Sequence, residues 1–88
     1  MNKEERPYVD EGCIRTFSPT VNDEELEWHV DYEDRIVTIL DGEGWKIQFD
    51  EKIPSLLCVG QEIFIKKMSW HRIIKGSGNL IVNIKKLS

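Results

Sequence analysis

The sequence predicts an all-β domain, a small antiparallel sandwich or barrel, and three observations carry that expectation. Apolar and polar residues alternate with a period of two in several short runs, as half-buried strands require. Turn-forming residues punctuate those runs at close intervals. No segment sustains a helical period. Eighty-eight residues suffice for one core and leave no room for a second. Residues 1–12 are therefore expected as an N-terminal arm and residues 13–88 as the single domain.

The runs can be justified in order. "CIRTF" (13–17) reads as a strand closed by the turn signal "SPTVND". "ELEWHV" (25–30) sets Leu26, Trp28 and Val30 against Glu25, Glu27 and His29, although "NDEELEW" also carries the marks of a helical turn. "RIVTIL" (35–40) is rich in β-branched residues and stops at "DGEG" (41–44), where Asp-Gly accepts left-handed backbone, so a hairpin is expected. In "WKIQF" (45–49), Trp45, Ile47 and Phe49 share one face and Lys46 and Gln48 the other. "EIFIK" (62–66) and "HRIIK" (71–75) follow, and the turn "GSGN" (76–79) leads into "LIVNIKKL" (80–87), where Leu80, Val82 and Ile84 align. A chain this short cannot easily build two sheets without sharing strands, so a homodimer that pairs edge strands is expected.

Composition narrows the partners. The longest apolar runs, such as "IVTIL", are too short to span a membrane, and "MNKEERPYVDEG" lacks the apolar stretch of a signal peptide, so the cytoplasm is the expected compartment. Cys13 and Cys58 stand far apart in no zinc-binding spacing and are expected as small buried core residues. The net charge of −4 is uneven: residues 1–34 hold eleven acids and three bases, residues 35–88 five acids and nine bases. That overall sign disfavours extended nucleic-acid binding while leaving the basic half free to hold a small anionic or polar ligand. No Gly-rich phosphate loop or nucleophile elbow is present, and Cys58 has no His at a recognisable spacing.

The stretch "WHVDYEDR" (28–35) carries the chemistry. In an extended strand, His29 and Asp31 fall on one face and offer an imidazole and a carboxylate to one ion. Arg35 follows four residues later, a fixed cation and a poor neighbour for a metal.

The spacing around this stretch resembles the cupin family, small jelly-roll β-barrels with two signature motifs. In the first, G-x5-H-x-H-x(3,4)-E-x6-G, the register places Asp23, His29, Asp31, Arg35 and Gly42, with every gap kept. In the second, G-x5-P-x-G-x2-H-x3-N, it places Gly60, Lys66, Met68, His71 and Lys75, again with every gap kept. His29, Gly42, Gly60 and His71 match by identity, and the resemblance spans roughly residues 13–85. The chain is also similar to the small stand-alone cupins of bacteriophage genomes.

The resemblance implies an antiparallel jelly-roll barrel and a site at its mouth. His29 and His71 occupy metal-ligand positions, and Asp31 replaces a His, which leaves the two-His, one-carboxylate set of non-haem iron oxygenases. Arg35 stands where the family has its Glu, and a guanidinium cannot ligate. Glu33 is the neighbouring carboxylate that can substitute as ligand or pair with Arg35. Two functions follow from the same residues. In one, the protein senses or sequesters a small anionic or polar molecule, such as a nucleotide- or sugar-derived signal, held by Arg35, His29 and His71. Asp31 then orients His29 or a ligand hydroxyl, Gln48 adds a polar contact, and Trp28, Trp45 and Trp70 supply stacking walls, at least one of the three being core. In the other, His29, Asp31 and His71 hold iron or manganese in an oxygenase- or isomerase-like enzyme, with Arg35 anchoring the substrate.

Overall fold

A computed structural model describes residues 14–20 and 22–87; the N-terminal arm and Cys13 lie outside the described residues. The described residues are all-β, with one 3-10 turn among them. Its strands are β1 (Ile14–Phe17), β2 (Asp34–Glu43), β3 (Lys46–Phe49), β4 (Ser55–Leu56), β5 (Glu62–Ile65), β6 (His71–Ile74) and β7 (Ser77–Leu87). They form two sheets, ordered β1-β7-β2-β5 and β4-β3-β6, in which every pair is antiparallel. Among the described residues no helix is long and apolar enough to cross a membrane.

The alternation read from the sequence decides which side chains face inward. Phe17, Ile39, Ile65, Leu80, Val82 and Ile84 from the first sheet meet Ile47 from the second and Trp45 just before β3, and Leu57 closes the same core. Burying such side chains is the main favourable contribution, at roughly 1.5–3 kcal/mol each. Trp45 is 0 % exposed, and its indole N–H donates to the Gly78 carbonyl at 3.1 Å, so its one polar atom is satisfied. The longest pairing, β2 with β7, runs from Asp34↔Leu87 to Glu43↔Ser77 and is interrupted by bulges on either side of Asp41.

Four expectations are corrected. Residues 25–30 do not form a strand: Asp23 accepts the Glu25 N–H at 2.9 Å and caps a 3-10 turn over Glu24–Leu26, after which only His29 pairs, with His71. The local capping bond outcompetes the alternating pattern at this point. The "DGEG" segment is not a hairpin, because β2 and β3 belong to different sheets; its glycines mark a corner where the chain crosses from one layer to the other. A second crossing, at Lys75–Gly76, lies against the first, and β7 therefore begins within "GSGN". Cys58 is exposed rather than core, since Leu57 takes the inward position and Cys58 opens the turn that Gln61 closes with an N–H bond to its carbonyl at 3.0 Å. The two-residue strand β4 is an addition that a run of that length does not announce.

Met68 adopts φ +64° in the turn before β6, the place where the second signature motif carries Gly. Left-handed backbone costs an L-residue about 1–2 kcal/mol, and glycine's extra chain entropy returns about 0.5–1 of that. The Met68 side chain is exposed, so little burial is at stake. Met68→Gly is expected to raise stability by roughly 0.5–1 kcal/mol in urea unfolding; a loss of stability would show that the methionine side chain makes a compensating contact.

Candidate metal centre

The site forms where four segments meet at the end of the sheets. The 3-10 turn delivers Glu25, the residue after it in the lone bridge is His29, Asp31 precedes β2, and His71 opens β6. His29 and His71 exchange backbone bonds, each N–H to the other's carbonyl at 3.0 Å, which brings their rings to 4.3 Å between centroids. Asp31 is pinned by its carbonyl, which accepts the Met68 N–H at 2.7 Å, and Asp34 Oδ1 accepts the Lys67 N–H at 2.8 Å. The strained turn at Met68 thus holds the acidic segment in place.

Both imidazoles are oriented in the same way. His29 Nδ1 lies 2.7 Å from the Glu27 carbonyl, and His71 Nδ1 lies 2.9 Å from the Ser69 carbonyl. A carbonyl only accepts, so each Nδ1 carries the proton and each Nε2 presents a lone pair in the neutral ring. Among the described residues His71 Nε2 and Asp31 Oδ2 are buried without a hydrogen bond, whereas His29 Nε2 meets the Glu25 carboxylate. The distances are short all the same: His71 Nε2 to Asp31 Oδ2 is 3.3 Å, His29 Nε2 to Glu25 Oε1 is 2.8 Å, and His29 Nε2 to Asp31 Oδ1 is 3.9 Å. One ligand atom from each of Glu25, His29, Asp31 and His71 lies within 4.8 Å of the others. Opposite ligands of a bound ion are about 4–4.4 Å apart at the usual ligand distances of 2.0–2.2 Å, so small side-chain adjustments close the set.

The surrounding charges are paired. Arg15 donates to Glu25 Oε2 at 2.9 Å. Arg35 donates through Nε to Glu33 Oε2 at 2.6 Å, while its Nη1 lies 3.4 Å from Asp31 Oδ1 and 3.9 Å from Glu25 Oε2. Burial works against the charged forms of both Glu25 and His29. For Glu25, His29, Arg15 and Arg35 outweigh that burial and lower its pKa to about 2. For His29, the Glu25 carboxylate, the Glu27 carbonyl and Asp31 outweigh it and raise the pKa. Behind the polar cluster lies a cavity of about 30 Å³, reached by Asp31, Arg35 and His71 and walled by apolar side chains of both sheets. That is room for a water molecule or a comparably small group.

Of the residues singled out in the sequence, the structure brings His29, Asp31, Arg35 and His71 together and places the others elsewhere. Trp45 is core. Gln48 lies on the outer face of β3, where it accepts from Arg72 Nε at 2.9 Å and donates to the Lys52 carbonyl at 3.0 Å. Trp28 and Trp70 are exposed, and Arg72 stacks over the Trp28 ring at 5.0 Å. Glu33 pairs with Arg35 and does not join the cluster. Glu25 was missed as a candidate. Its signal was its place on the His29 side of the alternation in "ELEWHV", but the motif register had set the acidic ligand at position 35.

No protein-family profile matches the sequence, and no curated protein does. Among solved structures, the crystal structure of protein NMB1881 from Neisseria meningitidis is similar to this chain, with a TM-score of 0.59 and 16 % identity over 91 % of this chain and 79 % of that one. At that identity the likeness is one of fold.

Proposed function

We propose that this protein is a minimal cupin, a small jelly roll in which Glu25, His29, Asp31 and His71 hold one divalent iron or manganese ion, and that it is an enzyme acting on a small polar molecule. The observation that carries this reading is the convergence of one ligand atom each from Glu25, His29, Asp31 and His71 within 4.8 Å of one another, with His71 Nε2 and Asp31 Oδ2 buried and without a hydrogen bond among the described residues. Each unsatisfied buried polar atom costs about 1–3 kcal/mol, and a single cation would satisfy both. Proton placement supports the same conclusion, because backbone carbonyls fix both rings in the ligating tautomer. A set of two imidazoles and two carboxylates, without thiolate, would suit iron or manganese. Such an ion acts as a Lewis acid or redox centre of the oxygenase or isomerase kind. The chain's own residues position it: the carbonyls of Glu27 and Ser69 orient the rings, and Arg15 holds the second oxygen of Glu25.

Simple sequestration of an anion by Arg35 has less support. Its Nε is taken by Glu33, and the carboxylates of Asp31 and Glu25 flank its Nη1, so an incoming anion meets negative charge first.

The test is elemental analysis with native mass spectrometry on protein purified without chelator. One iron or manganese per chain is expected. Protein that arrives without metal and takes up neither Mn(II) nor Fe(II) under anaerobic titration would overturn the proposal.

A further inference from the structure

We infer that β5 is a dimerisation edge, where the chain pairs antiparallel with a second copy of itself about a twofold axis at Phe64; this stands on the sheet alone and is independent of the metal reading. β5 ends the four-stranded sheet, and among the described residues no strand pairs with its outer side. The backbone defines which groups lie open there. The Ile39 N–H donates to the Gln61 carbonyl at 2.9 Å across the β2–β5 pair, so Gln61, Ile63 and Ile65 turn their polar groups toward β2. By alternation Glu62, Phe64 and Lys66 turn theirs outward. A row of this kind is a template for another strand.

The side chains along the row say which strand. Glu62, Phe64 and Lys66 are all exposed, Phe64 at 55 %, and Phe64 lies beside the half-buried Ile36 on the outer face. An antiparallel twofold centred on Phe64 sets Phe64 against its own copy, Ile63 against Ile65 of the partner subunit, and Glu62 against Lys66 of the partner subunit. The open backbone groups of Phe64 then bond across the axis, and opposite charges meet at both ends of the ladder. On the outer face Ile36 and Phe64 of the two copies form one apolar row. Sliding the axis to Ile63 or Ile65 puts Phe64 opposite Glu62 or Lys66 instead, so the charges fix the register. Charge on an edge strand usually keeps other strands away. Here the signs are opposite at mirrored positions, so the same residues attract a copy of the chain. Such a pairing is isologous and consumes both β5 edges, which closes the assembly at two chains. The homodimer expected from the chain's length thereby acquires a particular strand and register.

Sedimentation velocity over a wide range of protein concentration tests this. The natural chain is expected to dimerise. Phe64→Asp, which sets two carboxylates across the axis, is expected to weaken dimerisation about 100-fold or more while keeping the natural circular dichroism spectrum, because Phe64 is exposed. Glu62→Lys and Lys66→Glu are each expected to weaken it about tenfold or more, since the twofold repeats every change. Mixed together, these two single variants are expected to pair with each other about as tightly as the natural chain pairs with itself, because every acidic position then meets a basic one. A chain that stays monomeric throughout, a dimer that survives Phe64→Asp, or single variants that associate no better mixed than alone would each overturn the inference, whatever the metal content.

Discussion

His71→Ala is expected to abolish tight metal binding, with Mn(II) affinity falling by about 100-fold or more; losing a group that merely orients a ligand typically costs about 10–100-fold, and this change deletes a ligand. The same fall is expected for Asp31→Ala, and a comparable one for Glu25→Ala. Arg35→Ala is expected to leave affinity unchanged or raise it, because it removes a positive charge 3.4 Å from a liganding carboxylate. Competition of Mn(II) against a fluorescent chelator measures all four. The pattern across the variants separates this assignment from a set in which residue 35 lies on the ligand path: Glu25 must matter and Arg35 must not. If Glu25→Ala bound Mn(II) as well as the natural protein, the fourth ligand would be wrong. His71 is 0 % exposed, so its alanine variant also leaves a cavity, and circular dichroism on each variant is needed to separate lost ligand from lost fold.

The second large effect concerns the corners of the fold. A Cβ added at Gly76 would lie 2.3 Å from the Glu43 carbonyl oxygen and 2.4 Å from both the Gly44 carbonyl carbon and the Trp45 nitrogen. All three are backbone atoms, so no side chain can rotate away. Gly76→Ala is expected to cost about 3 kcal/mol or more, the upper end of overpacking penalties, and to lower Tm by more than about 10 °C in a domain of this size. Gly78→Ala is the control. Its φ of +68° makes alanine strained, but nothing lies within 4 Å of the added methyl, so a loss of only about 1–2 kcal/mol is expected. Similar losses at the two positions would mean that the crossings do not touch as described.

Much of the layer structure was legible because strand alternation is enforced by burial. Val37 and Ile39 on β2, and Leu80, Val82 and Ile84 on β7, could face only one way. The errors arise where one local signal has two meanings. Asp-Gly serves a hairpin and a corner equally well, and only the partner strand distinguishes them. Alternating Leu26, Trp28 and Val30 suits a strand, but Asp23 caps the backbone before a ladder can form. Of the site, His29, Asp31 and His71 were legible through spacing, and Arg35 through its chemistry. Glu25 was not, because its approach to His29 depends on a turn of three residues that no periodicity reports. Gln48 and Trp45 were misplaced by residue type alone: an amide and an indole suit a ligand pocket, yet each satisfies its polar atoms against its own fold.

The bridge between His29 and His71 has a consequence for chain entropy. Among the described residues, segment 24–31 shares backbone hydrogen bonds with the second sheet through that one pair, without a ladder on either side. An ion held by Glu25, His29 and Asp31 on one side and His71 on the other closes a long loop of chain at this weak point. It acts there as a removable staple, and loop closure costs entropy that a cross-link removes from the unfolded state. On the metal reading proposed above, folding and loading would be linked: a bound ion would raise the protein's resistance to unfolding with the logarithm of its concentration above Kd. The supply of metal would then set how long the protein survives.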